Sequence, residues 1–267
     1  MSFFHSPRIV TKNLLHYVDF ANPNCYTSGS AETPVVSGFS TSSDNPVTNL
    51  ATGEIGYVSY YAPSPTSNFD EWPEPTTEAL GGMKFNRATN TSIGSLVYNE
   101  LQNAPTFPFS LGSWFKPIDA SLENSNSTDQ TIISSVAAAG GSFFTIATDV
   151  SGSDCIVTKR LGFGAGREVT KSDVFLTGSF YQVHVNFPNN QLVEVYLNGS
   201  YLTQSSTLSV NLTSSLTRVH LGNLRTGGPE PYNNSEHTIY QGYVYDDVLT
   251  EREILQNFNA HRGRYGI

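Results

Sequence analysis

Gln241–Ile267 reads QGYVYDDVLTEREILQNFNAHRGRYGI, and it contains a strand, a helix start and a stop. Thr250 precedes Glu253 by three places. At that spacing a hydroxyl caps a free helix amide while the carboxylate returns to the amide of the cap. Leu249 and Ile254 flank the cap as a hydrophobic staple, and Ile254 and Phe258 form one apolar stripe. His261 and Arg262 suit the negative end of a helix, and Gly263 suits the left-handed residue that ends it, giving about three turns. Upstream, Tyr240, Gly242, Val244 and Asp246 alternate with Gln241, Tyr243, Tyr245 and Asp247 as strand faces do. The stretch predicts strand, acidic turn and surface helix.

Outward from this stretch the composition is that of an all-β chain. Of 267 residues 38% are hydrophobic and only 14% charged, while Ser, Thr, Asn, Gly and Tyr abound, which suits short strands joined by many turns. The length allows one large sandwich core. The net charge of −9, with basic residues scattered singly or in pairs such as Lys159 and Arg160, offers no face for phosphates, so nucleic acid is excluded as a partner. No run reaches the ~20 apolar residues of a membrane span, and the N-terminus lacks a signal-peptide core. A cytoplasmic origin follows as an expectation. Cys25 and Cys155 have neither metal-knuckle spacing nor disulfide-scaffold density, and each reads as a small apolar group.

Residues 1–12 form a mixed polar and aromatic lead, frayed or pinned onto a neighbour. A first strand is predicted over Leu14–Phe20, closed by the turn signal Asn22-Pro23-Asn24. Residues 27–80 read as long loops around one or two short strands, and the proline-rich piece from Ala62 to Pro75, which holds Trp72, is unsuited to a central strand. From Leu80 the rhythm is regular, with strands predicted at Met83–Phe85, Ser92–Tyr98, Phe107–Lys116, Thr131–Val136, Ser142–Thr148, Cys155–Leu161, Tyr181–Phe187, Val193–Leu197 and Arg218–Gly222. Asn198-Gly199 between two of them is the strongest short hairpin signal.

Tyr240–Gly266 resembles the closing motif of the concanavalin A-like (laminin G-like) jelly-roll family, most nearly the copies carried by virion proteins of tailed phages. NLLHYVDFANPNCYTSG (Asn13–Gly29) is similar to the opening motif of the same domains. FPFSLGSWFKPID (Phe107–Asp119) resembles their Ser-x-Trp-Val/Phe-Lys strand. In that strand Leu111, Ser113 and Phe115 face opposite to Gly112 and Trp114, and burial priors assign Trp114 to the core. Tyr181–Phe187 resembles the Trp-x-His-Val strand, with Tyr in place of Trp. Val47-Thr48-Asn49-Leu50 departs from the Trp-x-Asp-Leu element, so nothing attached to that Asp carries over. The likeness spans nearly the whole chain apart from an insert around residues 51–78.

A retaining glycosidase needs two carboxylates about 5–5.5 Å apart, hence two acids on one strand face. The close acidic sets are Asp70, Glu71 and Glu74, Asp246 with Asp247, and Glu251 with Glu253. None of these falls inside a strand, and no nucleophile elbow or phosphate loop accompanies the scattered histidines, so no catalytic residue is assigned. In DVSGSD, Asp149 and Asp154 with the intervening serines place alternating oxygens on one loop, as calcium requires, although a plain hairpin turn accounts for the same letters. For glycan or partner binding the available loop aromatics are Tyr60, Tyr61, Trp72 and Tyr232.

These readings give an all-β, two-sheet antiparallel jelly-roll sandwich with a short C-terminal helix, organised as an arm (1–12) and one domain (13–267) with a loop-rich insert around 51–78. The resemblance implies a non-enzymatic virion structural protein of a tailed phage, associated with capsid, neck, tail or fibre. It would act in assembly or decoration beside other virion proteins, as a homo-oligomer. The alternative is a carbohydrate-binding adhesin for host surface polysaccharide, and a weaker alternative is a glycan hydrolase. Calcium is the one cofactor left open, and no membrane partner is expected.

Overall fold

The computed structural model describes residues 8–26, 38–62, 74–85, 94–101, 105–118, 129–137, 142–149, 155–161, 164–171, 175–176, 178–205, 216–222 and 237–267. In chain order the strands are β1 (Leu14–Asp19), β2 (Gly38–Thr48), β3 (Ile55–Ala62), β4 (Glu74–Thr76), β5 (Gly82–Lys84), β6 (Gly94–Glu100), β7 (Phe109–Pro117) and β8 (Asp129–Ala137). They continue with β9 (Ser142–Asp149), β10 (Cys155–Leu161), β11 (Gly164–Lys171), β12 (Tyr181–Phe187), β13 (Val193–Leu197), β14 (Ser200–Ser205), β15 (Leu216–Leu221) and β16 (His237–Tyr245), and the helix α1 (Glu251–Tyr265) closes the chain.

The strands form two antiparallel eight-stranded sheets. The near sheet, which α1 covers, has the order β14-β13-β12-β7-β16-β5-β4, with β1 also on β16. The far sheet has the order β11-β10-β9-β8-β15-β6-β3-β2. Between them lies a core in which Phe109 and Phe187, register partners of the near sheet, stack at 4.7 Å. Phe144 of the far sheet meets Phe187 edge-on at 4.7 Å, an aromatic arrangement worth about 0.5–1.5 kcal/mol beyond burial. Leu111, Phe115, Val183 and Val185 from one side and Ile133, Ile146, Val219 and Leu221 from the other complete this layer. His237 of the near sheet and Thr148 of the far sheet pair at 3.1 Å across it.

The near sheet is buried on its other face as well. Every residue of β12 and β16 is buried, which a half-solvated antiparallel strand would not show. Trp114 faces α1 rather than the intersheet core. Its ring stacks on Tyr265 at 4.3 Å and on Phe258 at 5.5 Å. Leu111 and Phe115 point the other way, as strand alternation demands. Gly112 keeps this face open for Tyr243, since a Cβ there would come within 2.4 Å of the tyrosine ring.

Local signals explain the helix start. The capping box is complete, with Glu253 N donating to Thr250 Oγ1 at 3.3 Å and Thr250 N donating to Glu253 Oε2 at 2.9 Å. Leu249 and Ile254 pack together as the staple. The predicted end is corrected, because the helix passes through Gly263 and stops at Gly266, whose φ is 72°. Tyr265 is buried against Trp114, and that burial outweighs the cost of about 1 kcal/mol for a glycine inside a helix.

Two further expectations change. A β-bulge in β16 between Ile239 and Gln241 puts Tyr240 and Gln241 side by side toward α1, so Tyr240 does not share a face with Gly242. Within residues 27–80 the strands are longer than predicted, with eleven residues in β2 and eight in β3. These pair with each other despite a bulge between Thr41 and Pro46, and β3 also pairs with β6. The hairpin signal holds: Asn198 and Gly199 have φ of 49° and 78°, as a type I′ turn requires. Cys25 is a free buried thiol, pushed up to about 12 by burial.

Trp114→Ala should cost about 3–5 kcal/mol, read as a lower midpoint in urea with an unchanged slope. Gly112→Ala should also destabilise, because Tyr243 has strands beneath it and α1 above. An unchanged midpoint for either would contradict this packing.

Candidate functional site

The turn that follows β1 and the segment that leads into β5 form the two walls of an open groove of about 500 Å³, lined by Phe20, Ala21, Pro23, Tyr26, Pro75, Thr76, Thr77, Leu80, Gly81 and Gly82. The Asn22-Pro23-Asn24 signal builds the first wall. Asn22 O accepts from Cys25 N at 2.8 Å, and Tyr26 is anchored by a bridge to Val47. Phe20 meets Tyr26 edge-on at 6.0 Å. The second wall runs from β4, the short edge strand, through a single 3-10 turn at Glu78–Leu80. Leu80 is 80% exposed, an apolar side chain held out at the rim.

Below the groove is a buried polar cluster that joins β1, β16 and α1. Asp19 Oδ1 accepts from Arg264 Nη1 at 2.8 Å and from Ala21 N at 3.0 Å. Asp19 Oδ2 accepts from Gln241 Nε2 at 2.9 Å and from Tyr17 OH at 3.2 Å. His261 lies against both neighbours, with Nε2 at 3.4 Å from Tyr17 OH and Nδ1 at 3.1 Å from Gln241 Nε2. All four lone-pair directions of the carboxylate are used, the condition under which a buried charge is tolerable. Burial, with Asp19 nearby, drives the Tyr17 phenol upward, so it stays protonated as a donor. Glu78 is held below its usual range first by its hydrogen bond from Lys116 and then by one from Tyr240. The cluster fastens elements together, and Tyr17, Asp19, Gln241, His261 and Arg264 are not among the residues that line the groove.

Asn49 has a related task. Fully buried, it accepts from Tyr17 N at 2.9 Å and donates to Leu15 O at 2.9 Å. It thereby ties β1 to the end of β2, where the resembling family carries an Asp.

Of the residues singled out in the sequence, Tyr60 and Tyr61 lie in β3 and not in a loop, opposite Ser95 and Gly94 of β6. Trp72, Tyr232 and Asp154 lie outside the described residues. Asp149 is the last residue of β9, and the register sets it opposite Asp129. Among the described residues no group of three or more His, Cys, Asp or Glu is placed to hold a metal ion, and no helix is long and apolar enough to cross a membrane. The groove residues Phe20, Pro23 and Tyr26 sit within the opening motif and were legible there as a turn. Thr76, Thr77 and Leu80 follow no periodic pattern.

No family model and no curated protein matches the sequence. Solved structures do match the fold. The binding domain of botulinum neurotoxin DC in complex with rat synaptotagmin II aligns with TM-score 0.61 and 12% identity over 94% of this chain and 52% of that one. A structure of botulinum neurotoxin type C, whose cell entry depends on interaction with two ganglioside molecules, aligns with TM-score 0.55 and 15% identity over 84% and 50%. A mutant Trypanosoma rangeli sialidase displaying trans-sialidase activity aligns with TM-score 0.58 and 15% identity over 96% and 34%. The chain thus spans about half the length of the neurotoxin chains and a third of the sialidase. At these identities the likeness is one of fold, a two-sheet β-sandwich.

Three desolvated imidazoles, those of His184 and His237 fully buried and that of His261 half-buried, should make the fold acid-sensitive. Desolvation lowers His184 to about 4, His237 to about 3 and His261 to about 4. The unfolded chain therefore binds protons that the folded one refuses. Stability is complete above the unfolded value of about 6.5 and falls as pH drops toward the folded values, by about 2 kcal/mol at pH 5 for each fully buried ring. Urea midpoints should decline steadily from pH 7 to pH 5. A flat profile would contradict the burial of these rings.

Proposed function

We propose that the chain is a non-enzymatic, lectin-like binding domain that holds carbohydrate in the groove between the Ala21–Asn24 turn and the Pro75–Gly82 segment. The observation that carries this reading is the lining. Rings and proline faces at Phe20, Tyr26, Pro23 and Pro75 stand beside threonine hydroxyls and glycine backbone, the mixture of apolar platform and orienting polar groups that a sugar face requires. Trp72, which precedes β4 by two residues in the sequence, is proposed from the sequence alone as a further sugar-stacking residue. The ganglioside and sialidase neighbours support a glycan as ligand by analogy of fold.

A second reading concerns where the domain works. The likeness of both chain ends to jelly rolls of tailed-phage virion proteins favours a virion component, one that decorates the particle and presents the groove to host surface polysaccharide. Residues 8–12 bear on how it would attach. Val10 is buried on α1, where its N–H donates to Asn257 Oδ1 at 2.7 Å. A connecting role in a particle therefore falls to residues 1–7 or to loops, and light scattering of the full chain against one lacking residues 1–7 should show an oligomer lost on truncation.

Binding is tested by calorimetry against purified surface polysaccharides. Tyr26→Ala and Trp72→Ala should each weaken binding about tenfold, the loss expected for one stacking ring, and prolonged incubation should release no shorter glycan. Undiminished binding by both variants would refute the groove as the site, and release of cleaved sugar would refute the non-enzymatic reading.

A further inference from the structure

The Glu78–Gly81 turn is strained and is held from outside. Ala79 and Leu80 have φ of 48° and 70°, a left-handed region that costs a non-glycine residue about 1–2 kcal/mol and persists only where surroundings enforce it. Burial of Leu80 does not supply the enforcement, since that side chain is exposed. Arg264 of α1 does. Its Nε donates to Ala79 O, its Nη2 donates to Gly81 O at 2.6 Å, and its Nη1 is seated on Asp19. Glu78, bonded by Lys116 and by Tyr240 OH, fixes the start of the turn.

His261 lies three residues before Arg264, on the same face of α1. The amide nitrogen of Gln241 only donates, so Nδ1 of His261 must accept and the ring proton must reside on Nε2, facing Tyr17. Tyr17 in turn donates to Asp19. The charged and titratable groups around the ring are Tyr17 and Asp19 from β1, and Arg262, Arg264 and Tyr265 from its own helix, while β16 presents Gln241. This arrangement is satisfied only by the neutral imidazole. A second proton on Nδ1 would point at the Gln241 donors and set a cation beside Arg264. Rotating the Gln241 amide to offer Oε1 would withdraw the donor that Asp19 Oδ2 receives.

We propose that the last turn of α1 is an acid-released latch on the Glu78–Gly81 turn. Protonation of His261 breaks its contact with Gln241, loosens Arg264 from Asp19, and lets Ala79 and Leu80 leave the left-handed region. The wall that Leu80, Gly81 and Gly82 give the groove changes with it. The device depends on the β1, β16 and α1 contacts alone and not on what the groove binds. Burial sets release on the acid side of neutrality.

Hydrogen–deuterium exchange of the full chain between about pH 7 and about pH 4, corrected for intrinsic rates, tests this. Residues 76–84 and 258–267 should lose protection together, at least tenfold, while β7 and β12 remain protected. His261→Gln keeps a donor toward Tyr17 without titrating and should abolish the step. Arg264→Gln should free residues 76–84 already at neutral pH. The latch is refuted if both segments stay protected until the whole sheet exchanges, if His261→Gln retains the acid step, or if Arg264→Gln leaves residues 76–84 as protected as in the unaltered chain.

Discussion

The near sheet carries large rings and buried amides on the face turned away from the core, and that face must be covered. Trp114, Tyr243 and Tyr245 project from it together with Gln182, His184 and Asn186, a mixture that neither water nor a purely apolar lid would satisfy. The closing segment from Leu249 through α1 meets the first need and part of the second. Phe258 and Tyr265 stack on the indole, while Asn186 donates to Leu249 O at 2.8 Å and accepts from Leu249 N at 3.2 Å. Within the sheet itself, Gln182 Nε2 donates to Tyr243 OH at 2.9 Å. A buried polar group left without such a partner costs about 1–3 kcal/mol, so the lid is as much a hydrogen-bonding surface as a hydrophobic one.

The same requirement joins the two ends of the chain. Val10 N donates to Asn257, Asn257 donates to Tyr245 OH, and Tyr245 OH returns to Val10 O, at 2.7, 3.0 and 2.9 Å. The triangle closes only when the arm, β16 and α1 are all in place. At the other end of the helix, Asp19 and Arg264 perform a similar fastening and extend it to the turn that walls the groove. A side chain 183 residues further along the chain thus sets the shape of the turn beside the groove.

Much of this was legible in the letters. Thr250 and Glu253 announced the helix start because a capping box is local chemistry, and Asn198-Gly199 announced its hairpin for the same reason. What escaped were features decided at a distance. Gly263 looked like a stop because the burial of Tyr265 against Trp114 is invisible from neighbouring letters. The bulge at Tyr240 arises from pairing with β7, which strand alternation does not encode. β2 looked like loop because its serines, glycine and proline have poor strand propensity, yet pairing with β3 overrides it. Asn257 carries no signal of its own in the sequence, yet it is the hub of the arm contact. For the site, the Ala-Asn-Pro turn was visible and its opposite wall was not, because residues 76–82 carry no periodicity and take their conformation from Arg264.

The most direct measurement of whether the lid holds the sandwich together is to end the chain at Val248 and record near-ultraviolet circular dichroism and urea unfolding beside the full chain. The expected result is loss of the aromatic signal and of a cooperative transition, because Trp114 and the outward tyrosines would face water and their hydrogen bonds would be orphaned. A shortened chain that keeps its aromatic signal and unfolds cooperatively with little change in midpoint would contradict the dependence of the sandwich on its closing helix.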